Sequence, residues 1–526
     1  KSIRPSAPPA GRGAGAAAPA PGACVDGRII AAPVAGAGGA GGGFGGRGGG
    51  APNVINASAG DTYRFNWNTP FVLSPHDPNV IWLGGNRLFR SNNQGDLWVA
   101  SADLTKRVDR CKIAVMGAPG TSLQLSKNDG MTSYSTIISV SESPVMAGVV
   151  WAGTDDGNVQ VSRDNGATFA EVGKNISGLP TGALSGDNPY WISRIEASHF
   201  DAATAYVAID GHRSDDLKPY VFVTRDYGST WKNVGSGLPA SGNVQVIRED
   251  PKNAQLLYAG TEFGLFVSLN GGGTWEPFMN GYPVVRTDDI LVHPRDGDLI
   301  VASHGRSIWI ADDITPLQQW TPAVAAADAT LFDVRAAVAY LTDVTRDIYT
   351  GGEKQFEGEN PARGTAIHFY VKSAGDAKIS IADQTGRALC EQTVKAKAGI
   401  NRVQWTLAAP MLAAAAAGAG AGGRGGPPGG GAGAGRAGGP PTGGGGGAAG
   451  ATPTAPPAAA AQPAAQPAAQ PAAPAPDMSC SGGAGGGRGG GAAGATPGSY
   501  IVKLSVGGKE YTKSVQVLED RWMLEK

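Results

Sequence analysis

An octapeptide that occurs four times constrains what this chain can fold into. Each copy has Ser or Thr first, Asp or Asn third, Gly fifth and an aromatic residue eighth: SNNQGDLW at 91–98, SRDNGATF at 162–169, TRDYGSTW at 224–231 and SLNGGGTW at 268–275. The hydroxyl and the Asp or Asn side chain suit hydrogen bonds to the local backbone, and Gly suits the positive φ of a hairpin turn. The aromatic residue then begins the returning strand and enters the core. We expect structural roles for all sixteen frame residues, which are Ser91, Asn93, Gly95, Trp98, Ser162, Asp164, Gly166, Phe169, Thr224, Asp226, Gly228, Trp231, Ser268, Asn270, Gly272 and Trp275.

The sequence around the octapeptides repeats as well. An apolar run precedes each copy, at 80–84, 149–153, 205–208 and 256–260, and a fifth run at 299–302 has no octapeptide after it. Each unit therefore predicts four strands, the first of them at 71–74, 136–140, 192–197, 244–248 and 289–293. Units of about 40–60 residues with this pattern are typical of β-propeller blades. We predict an all-β chain with about five blades of a larger propeller over residues 61–320.

Two tracts rich in Gly, Ala and Pro flank ordinary globular sequence. Residues 1–60 form the first, and residues 413–497 form the second, which contains no Val, Ile, Leu, Phe, Tyr or Trp. Without such side chains nothing offsets the roughly 1–2 kcal/mol per residue that backbone ordering costs, so the second tract is predicted to be a disordered insertion. Its three Gly-flanked Arg residues are too sparse for an RNA-binding tract.

A second β-rich unit follows the blades. Residues 321–360 are predicted to be a connector, and residues 361–412 with 498–526 an immunoglobulin-like β-sandwich. Its strands are expected at 366–372, 378–382, 388–395, 401–407, 499–506 and 509–518. The insertion then lies in a loop between two strands, which is tolerable because the cost of loop closure rises slowly with length.

Composition and charge argue against several classes of function. Lys and Arg total 43 against 44 Asp and Glu, a net charge of −1, so the basic footprint of a nucleic-acid binder is missing. No apolar run approaches the ~20 residues of a membrane-spanning helix. The four Cys residues lie in neither a CxxC nor a His-paired spacing, so we expect no metal site and no cofactor, and the redox compartment stays undecided. The chain begins at Lys1 without a signal-like stretch, so a processed chain or a fragment is expected.

The octapeptides resemble the Asp-box (BNR) repeats of sialidases, sortilins and xyloglucanase-type glycosidases. The sequence is most similar to large bacterial sortilin-like proteins often labelled glycosyl hydrolases, in five phrases: YRFNWNTPFVLSP at 63–75, DGHRSDD at 210–216, IREDP at 247–251, GTEFGL at 260–265 and the stretch 293–316. Residues 401–405 and 498–504 resemble the last strands of the hook-cap-type immunoglobulin-like domain that ends this family. The resemblance implies the later part of a double-propeller chain, and the immunoglobulin-like sandwich with the Gly-rich tracts suits a secreted or cell-surface protein. Residues 1–5 would then be the tail of a preceding blade, and residues 6–60 an insertion.

The loops that join second and third strands are expected on the face opposite the Asp-boxes. They carry Asn86, Arg87, Asp155, Asp156, His212, Arg213, Asp215, Asp216, Glu262, His304 and Arg306. Tyr190 and Trp191 enter from the same face and could stack on a sugar ring. From these the candidate ligand-binding residues are His212, Arg213, Asp215, Arg87, His304, Arg306, Tyr190 and Trp191.

Each of these side chains also has a structural interpretation. Asp155 and Asp156 precede Gly157 as in a plain turn, and Glu262 could replace an ordinary turn residue beside Phe263. Asp215 and Asp216 could solvate a hairpin. His304 and Arg306 could pair with Asp312 or Asp313, while Tyr63 and Trp67 are expected in the core.

Two functions remain open. A glycosidase needs two carboxylates, about 5–5.5 Å or 6.5–9.5 Å apart, and Glu262 with Asp216 or Asp155 could supply them. The FRIP-like motif, an assignable Arg triad and a nucleophile elbow are missing, which favours a binding or structural module for a glycan, peptide or protein over a glycoside hydrolase. An open propeller exposes two blade edges, so we also expect a missing N-terminal half from another chain, or self-association.

Overall fold

The computed structural model describes residues 3–8, 24–25, 28–29, 52–109, 113–115, 118–119, 133–186, 188–341, 361–407, 480 and 495–521. Two short strands, β1 (Cys24–Val25) and β2 (Arg28–Ile29), pair as a hairpin. None of the helices in this described part of the chain has the length and apolar character that a membrane crossing requires.

Five antiparallel sheets follow one another along the chain, and in each the strand order is the chain order. Blade 1 has β3 (Phe71–Leu73), β4 (Ile81–Gly84), β5 (Arg87–Ser91) and β6 (Val99–Asp103). The hairpin β7 (Ala114–Val115) and β8 (Ala118–Pro119) comes next. Blade 2 has β9 (Ile137–Glu142), β10 (Val150–Thr154), β11 (Val159–Ser162) and β12 (Ala170–Glu171).

Blades 3 and 4 also have four strands, whereas blade 5 has three. Blade 3 has β13 (Trp191–Ala197), β14 (Ala205–Gly211), β15 (Asp216–Thr224) and β16 (Lys232–Asn233). Blade 4 has β17 (Val244–Asp250), β18 (Asn253–Thr261), β19 (Gly264–Ser268) and β20 (Glu276–Pro277). Blade 5 has β21 (Thr287–Val292), β22 (Leu299–Ser303) and β23 (Ile308–Ala311). The all-β fold of repeated propeller blades is therefore confirmed.

The octapeptide turns have the hydrogen bonds that their residue types predict. In every copy the first hydroxyl accepts the N–H of the Gly at 2.8–2.9 Å. The third side chain accepts the N–H of the seventh residue at 2.8–2.9 Å. The four Gly residues have φ between +80° and +90°, where other residues are strained.

The aromatic residues of the octapeptides tie each blade to the segment before it. Trp98, Trp231 and Trp275 are at most 9% exposed. Each of the three indole Nε1 atoms donates to an upstream carbonyl oxygen: Trp98 to Ile3 (2.7 Å), Trp231 to Val172 (3.2 Å) and Trp275 to Val234 (2.8 Å). Phe169, in the second copy, has no indole to donate.

Apolar residues on both faces of a sheet form separate cores with the two neighbouring blades. In blade 3, Val207 and Phe222 pack toward blade 2, and Tyr206 and Val221 pack toward blade 4. Alternation along each strand produces this arrangement, because successive side chains point to opposite faces.

Two short helices, α1 (Thr315–Gln318) and α2 (Pro322–Ala326), lead from blade 5 into a β-sandwich. Its strands are β24 (Ala329–Leu331), β25 (Ala337–Ala339), β26 (Thr365–Val371), β27 (Gly375–Asp383), β28 (Ala388–Ala396), β29 (Gly399–Trp405), β30 (Gly498–Val506) and β31 (Lys509–Glu519). One sheet has the order β24-β26-β29 and the other β25-β31-β30-β27-β28. They share one buried core that includes Phe369, Trp405 and Val502.

Two expectations about this unit need correction. The segment that we expected to be a connector contributes β24, which pairs with β26, and β25, which pairs in parallel with β31. These strands are three residues long and pair with residues far away in sequence, so local periodicity does not reveal them.

Part of the predicted insertion is attached to the sandwich. Cys480 is 0% exposed and forms a disulfide with Cys390 on β28. Its carbonyl oxygen accepts the N–H of Thr406, and the N–H of Ala495 donates to Leu407. The rest of the expected disordered tract, apart from residues 495–497, lies outside the described residues.

Candidate functional site

The loops between second and third strands lie at one end of the blades. Trp191, the first residue of β13, pairs with Asp210 near the end of β14, so first strands begin where these loops are. The octapeptides join third and fourth strands at the other end. We call the former end the loop face and the latter the octapeptide face.

A cavity of about 540 Å³ opens on the loop face at blade 1. Most of its lining residues are polar: Gly60, Asp61, Thr62, Arg64, Asn86, Arg87, Asp103, Arg107, Val108, Asp109, Tyr134 and Ser135. Arg87 was a predicted ligand residue, and Asn86 was identified in the same loop.

The charges around this cavity are arranged about Asp103. Its carboxylate accepts Asn86 Nδ2 at 3.0 Å and the Thr105 hydroxyl at 2.7 Å. Arg64 and Arg107 approach it at 3.5 and 3.2 Å. Burial opposes ionisation of Asp103, but these hydrogen bonds and Arg64 hold its pKa below the usual value.

Arg87 contributes a second cationic group to the cavity. Its Nη1 atom donates to the Ser101 carbonyl oxygen at 2.8 Å. Since one backbone bond does not use the five donors of a guanidinium, Arg87 has donors left for a ligand. The cavity thus offers hydrogen-bond donors beside the acceptors of Asp61 and Asp103.

His212 and Arg213 belong to a separate cluster on blade 3. His212 Nδ1 lies 2.7 Å from the buried carboxylate of Asp210, which also accepts Asn243 Nδ2 at 2.8 Å. Burial opposes ionisation of Asp210, yet bonds from His212 and the charge of Arg213 lower its pKa. The Arg213 guanidinium lies 3.7 Å from the ring centroid of Trp191, so Arg213 occupies one face of the ring that we expected to stack on a sugar.

Tyr190 is a correction to the predicted site. It is 8% exposed, and its hydroxyl donates to Asp216 at 2.9 Å, as the Tyr220 hydroxyl does at 2.7 Å. Burial and Asp216 raise the pKa of Tyr190 to about 12. Tyr190 therefore supports the blade 3 loop, and Asp216 is an acceptor for two phenols. Asp215 has a left-handed φ of +60° after the short helical turn His212–Ser214, which is a turn role.

Asp155 is the second correction. It is 0% exposed, and its oxygens accept the Thr136 N–H at 2.7 Å, the Thr136 hydroxyl at 2.7 Å and Asn66 Nδ2 at 3.1 Å. Burial and the neighbouring Asp156 raise its pKa to about 8. A carboxyl group enclosed in this way joins blades 1 and 2 and does not face a substrate.

The remaining predicted residues are distributed over blades 4 and 5. Glu262 is half-buried in the turn after β18, where its N–H donates to Asn243. His304 Nδ1 is 2.9 Å from Asp288 rather than from Asp312 or Asp313, and Arg306 is exposed. The structure thus groups His212, Arg213, Trp191, Tyr190 and Asp216 on blade 3, and places Arg87 in the cavity of blade 1.

Sequence reasoning did not identify several side chains on the loop face. Arg64, Asp103 and Arg107 line the cavity but come from outside the second-to-third-strand loops, because Arg64 precedes β3, Asp103 ends β6 and Arg107 follows it. Trp67, expected in the core, is 71% exposed, and Phe263 is 50% exposed beside Glu262. Tyr63 does pack into the core, 4.9 Å from Phe89 between ring centroids. The FNWNTP phrase that places Trp67 just before the short strand β3 was the available signal.

No family model matches the chain. An oligoxyloglucan-reducing end-specific xyloglucanase of Emericella nidulans is 27% identical over 270 residues, which are 47% of this chain and 28% of that protein. The solved structure of YCF48 bound to D1 peptide matches with a TM-score of 0.29 and 17% identity, over 48% of this chain and 65% of that one. The solved structure of an ancestral GH74 enzyme matches with a TM-score of 0.33 and 16% identity, over 62% of this chain and 38% of that one. The chain therefore spans less than a third of the curated relative.

Proposed function

We propose that the protein is a binding module that holds a glycan on the loop face, with the blade 1 cavity as its main subsite. The cavity carries this proposal. Its volume of about 540 Å³ falls within the ~300–1,000 Å³ of ligand pockets. Sugar hydroxyls both donate and accept hydrogen bonds, which suits a lining that alternates guanidinium, amide and carboxylate groups. The xyloglucanase relative makes a β-glucan oligosaccharide the first ligand to test.

The lowered pKa of Asp103 in the cavity favours binding over hydrolysis there. A glycosidase acid needs a carboxyl group whose pKa is raised toward the working pH. Burial raises the pKa of the carboxyl groups of Asp155, Asp156, Asp250 and Asp312. None of these four lines the cavity, where the Asp103 pKa is lowered instead.

Isothermal titration with xyloglucan oligosaccharides, other β-glucans, sialosides and peptides tests the ligand class. Arg87→Ala should weaken glycan binding by about tenfold or more, because a charged hydrogen bond is lost. Arg225→Ala is the matched control, since Arg225 is exposed in an octapeptide on the octapeptide face. Equal affinities for wild type and Arg87→Ala would refute this site, and binding of peptides alone would refute the ligand class.

Glycoside hydrolysis is the second candidate, favoured by the xyloglucanase relative. Asp216 stays ionised because bonds from Tyr220 and Tyr190 outweigh burial and lower its pKa, and Glu262 is half-buried on the neighbouring blade. For a hydrolase, Glu262→Gln should lower turnover by orders of magnitude with folding intact. For a binding module, turnover is absent in wild type and the variant changes affinity at most. Release of reducing ends from β-glucans by the wild-type protein would refute our preference for binding.

We also propose an extracellular location. The Cys390–Cys480 disulfide suits an oxidising compartment, where such bonds persist. Alkylation and mass spectrometry of protein from the growth medium and from cells would test it. A reduced pair in a purely intracellular pool would contradict it.

A further inference from the structure

Three Asn–Gly pairs occur in this chain, beginning at Asn165, Asn270 and Asn280. Such a pair can react with itself, because Gly has no side chain to shield its backbone nitrogen from the side-chain amide carbon of the preceding Asn. The nitrogen attacks that carbon and an imide ring closes, so the turn must be able to rotate until the two atoms meet. The surroundings of each pair therefore decide whether it reacts in the folded protein.

The pair at Asn165 is held inside the second octapeptide. The Asn165 N–H donates to the Gly148 carbonyl oxygen at 3.1 Å, and the N–H of Gly166 donates to the Ser162 hydroxyl at 2.9 Å. A Cβ on Gly148 would lie 2.6 Å from the Asn165 side-chain oxygen, so this side chain lies against the backbone of the neighbouring turn. Rotation of the pair would break these backbone hydrogen bonds, which opposes the reaction.

The pair at Asn270 is held in the fourth octapeptide. Its side-chain oxygen accepts the Thr274 N–H at 2.8 Å, and its Nδ2 atom donates to the Thr274 hydroxyl at 3.0 Å. The attacking nitrogen would be that of Gly271, whose N–H donates to the Gln255 carbonyl oxygen at 2.8 Å. Both reacting groups are therefore anchored.

Asn280 lies in the link from β20 to β21, where the described residues provide no such anchor. Asn280 and Gly281 are both exposed, and the Asn280 side chain has no hydrogen bond to another described residue. A Cβ on Gly281 would meet nothing within 4 Å. The bond that crosses this turn runs from the Tyr282 N–H to the Met279 carbonyl oxygen at 3.1 Å. Once that bond opens, the pair can rotate.

We propose that Asn280 deamidates in the folded protein, while Asn165 and Asn270 are protected by their turns. The Gly281 nitrogen forms a bond to Cγ of Asn280, and its proton goes to the departing Nδ2 group, which leaves as ammonia. Water then adds to one of the two carbonyl carbons of the imide, and the C–N bond there breaks to give aspartate or isoaspartate. This modification site is independent of the glycan proposal, because neither Asn280 nor Gly281 lines the cavity of blade 1.

The reaction would alter the joint between blades 4 and 5. Both products add a negative charge next to the loop face, and isoaspartate also lengthens the backbone by a methylene group. The hydroxyls of Tyr282 and Thr287, the first residue of β21, lie 2.8 Å apart. The Tyr282 ring lies 5.7 Å from that of Trp309 on β23, between ring centroids. The longer backbone is therefore inserted beside the contacts that position blade 5.

Peptide mapping by mass spectrometry tests the site on the full folded chain, incubated in mildly alkaline buffer and sampled over time. The Asn280 peptide should convert from amide to acid, and an isoaspartate-specific methyltransferase should label it. Asn165 and Asn270 should react about tenfold or more slowly, because their hydrogen-bonded turns must open first. In the urea-unfolded chain the three pairs should react at similar rates, which would show that the fold causes the difference.

Asn280→Gln is the matched variant, because it keeps the amide on a longer side chain that closes the ring poorly. It should lack the modification at this position and leave the rates at Asn165 and Asn270 unchanged. Faster reaction at Asn165 or Asn270 than at Asn280 in the folded chain would overturn the proposal, and so would equal rates at the three pairs. An amide that persists at Asn280 in the folded chain, while the unfolded chain reacts, would overturn it as well.

Discussion

Removal of the Cys390–Cys480 disulfide should lower the stability of the sandwich substantially. The bond joins β28 to a residue within the low-complexity tract and closes a loop with a sequence separation of 90. Both cysteines are at most 1% exposed in the sandwich core. We expect the double variant Cys390→Ala/Cys480→Ala to fold, but with a lower free energy of unfolding.

The magnitude follows from the loop length. For a separation of 90 residues, the chain-entropy relation gives about 4.6 kcal/mol of stabilisation at room temperature. Deletion of residues 411–470 would leave a loop of about 30 residues, for which the same relation gives about 3.6 kcal/mol. The deletion should therefore reduce the effect of the disulfide by about 1 kcal/mol.

Urea unfolding of four proteins measures both quantities: wild type, the double variant, the deletion, and the deletion in the double variant. The cost of replacing two buried sulfur atoms is the same with and without the deletion, so the cycle isolates the loop-length contribution. Intrinsic fluorescence of Trp405, in the sandwich core, would need to be separated from that of the blades by Trp→Phe substitutions. A disulfide effect below about 1 kcal/mol, or one that grows when the loop is shortened, would refute the entropic reasoning.

Two further predictions concern the blades. Gly228→Ala should lower the free energy of unfolding by about 1–3 kcal/mol, because Gly228 has φ +83° and a Cβ would lie 2.6 Å from Val172. Gly281→Ala is the control in thermal melts, since Gly281 has φ +76° and open space around it. Equal losses of stability in the two variants would show that the contact with Val172 is unimportant. Asp155 binds its proton more tightly in the folded state, since its pKa is raised to about 8, so its contribution to stability is present at acid pH and is lost as pH rises toward 8. Urea unfolding from pH 4 to 8 should show wild type losing stability relative to Asp155→Asn, and parallel profiles would mean that Asp155 is ionised in the fold.

The repeats made most of the fold predictable. The octapeptide frame specifies its own turn, and the apolar runs before it specify strands, so the predicted strand at 244–248 falls within β17 (Val244–Asp250). Strands β24 and β25 were not predictable because three-residue segments have no measurable periodicity and their partners are distant in sequence. The pairing of Cys390 with Cys480 likewise depends on tertiary structure alone.

The candidate site was less predictable than the fold. Arg87, predicted from its loop position, lines a cavity. Asp155 and Tyr190 have residue types that suit a ligand, but both side chains are buried. Whether a carboxyl group or a phenol points outward depends on neighbours such as Thr136 and Asp216, which come from other parts of the blades. Arg64 and Asp103 were missed for the same reason, since separate segments bring them together.

The indole bonds between blades have a direction that matters during synthesis. The acceptors Ile3, Val172 and Val234 all precede their donors Trp98, Trp231 and Trp275 in the chain. A protein leaves the ribosome N-terminus first, and its domains generally fold in that order. Each of these tryptophans therefore emerges from the ribosome after the backbone carbonyl that accepts its indole hydrogen bond. At the boundary of blades 1 and 2, where Phe169 replaces Trp, the donor precedes its acceptor in the chain. The indole of Trp82 donates at 2.7 Å to the carboxylate of Glu142, which is synthesised later.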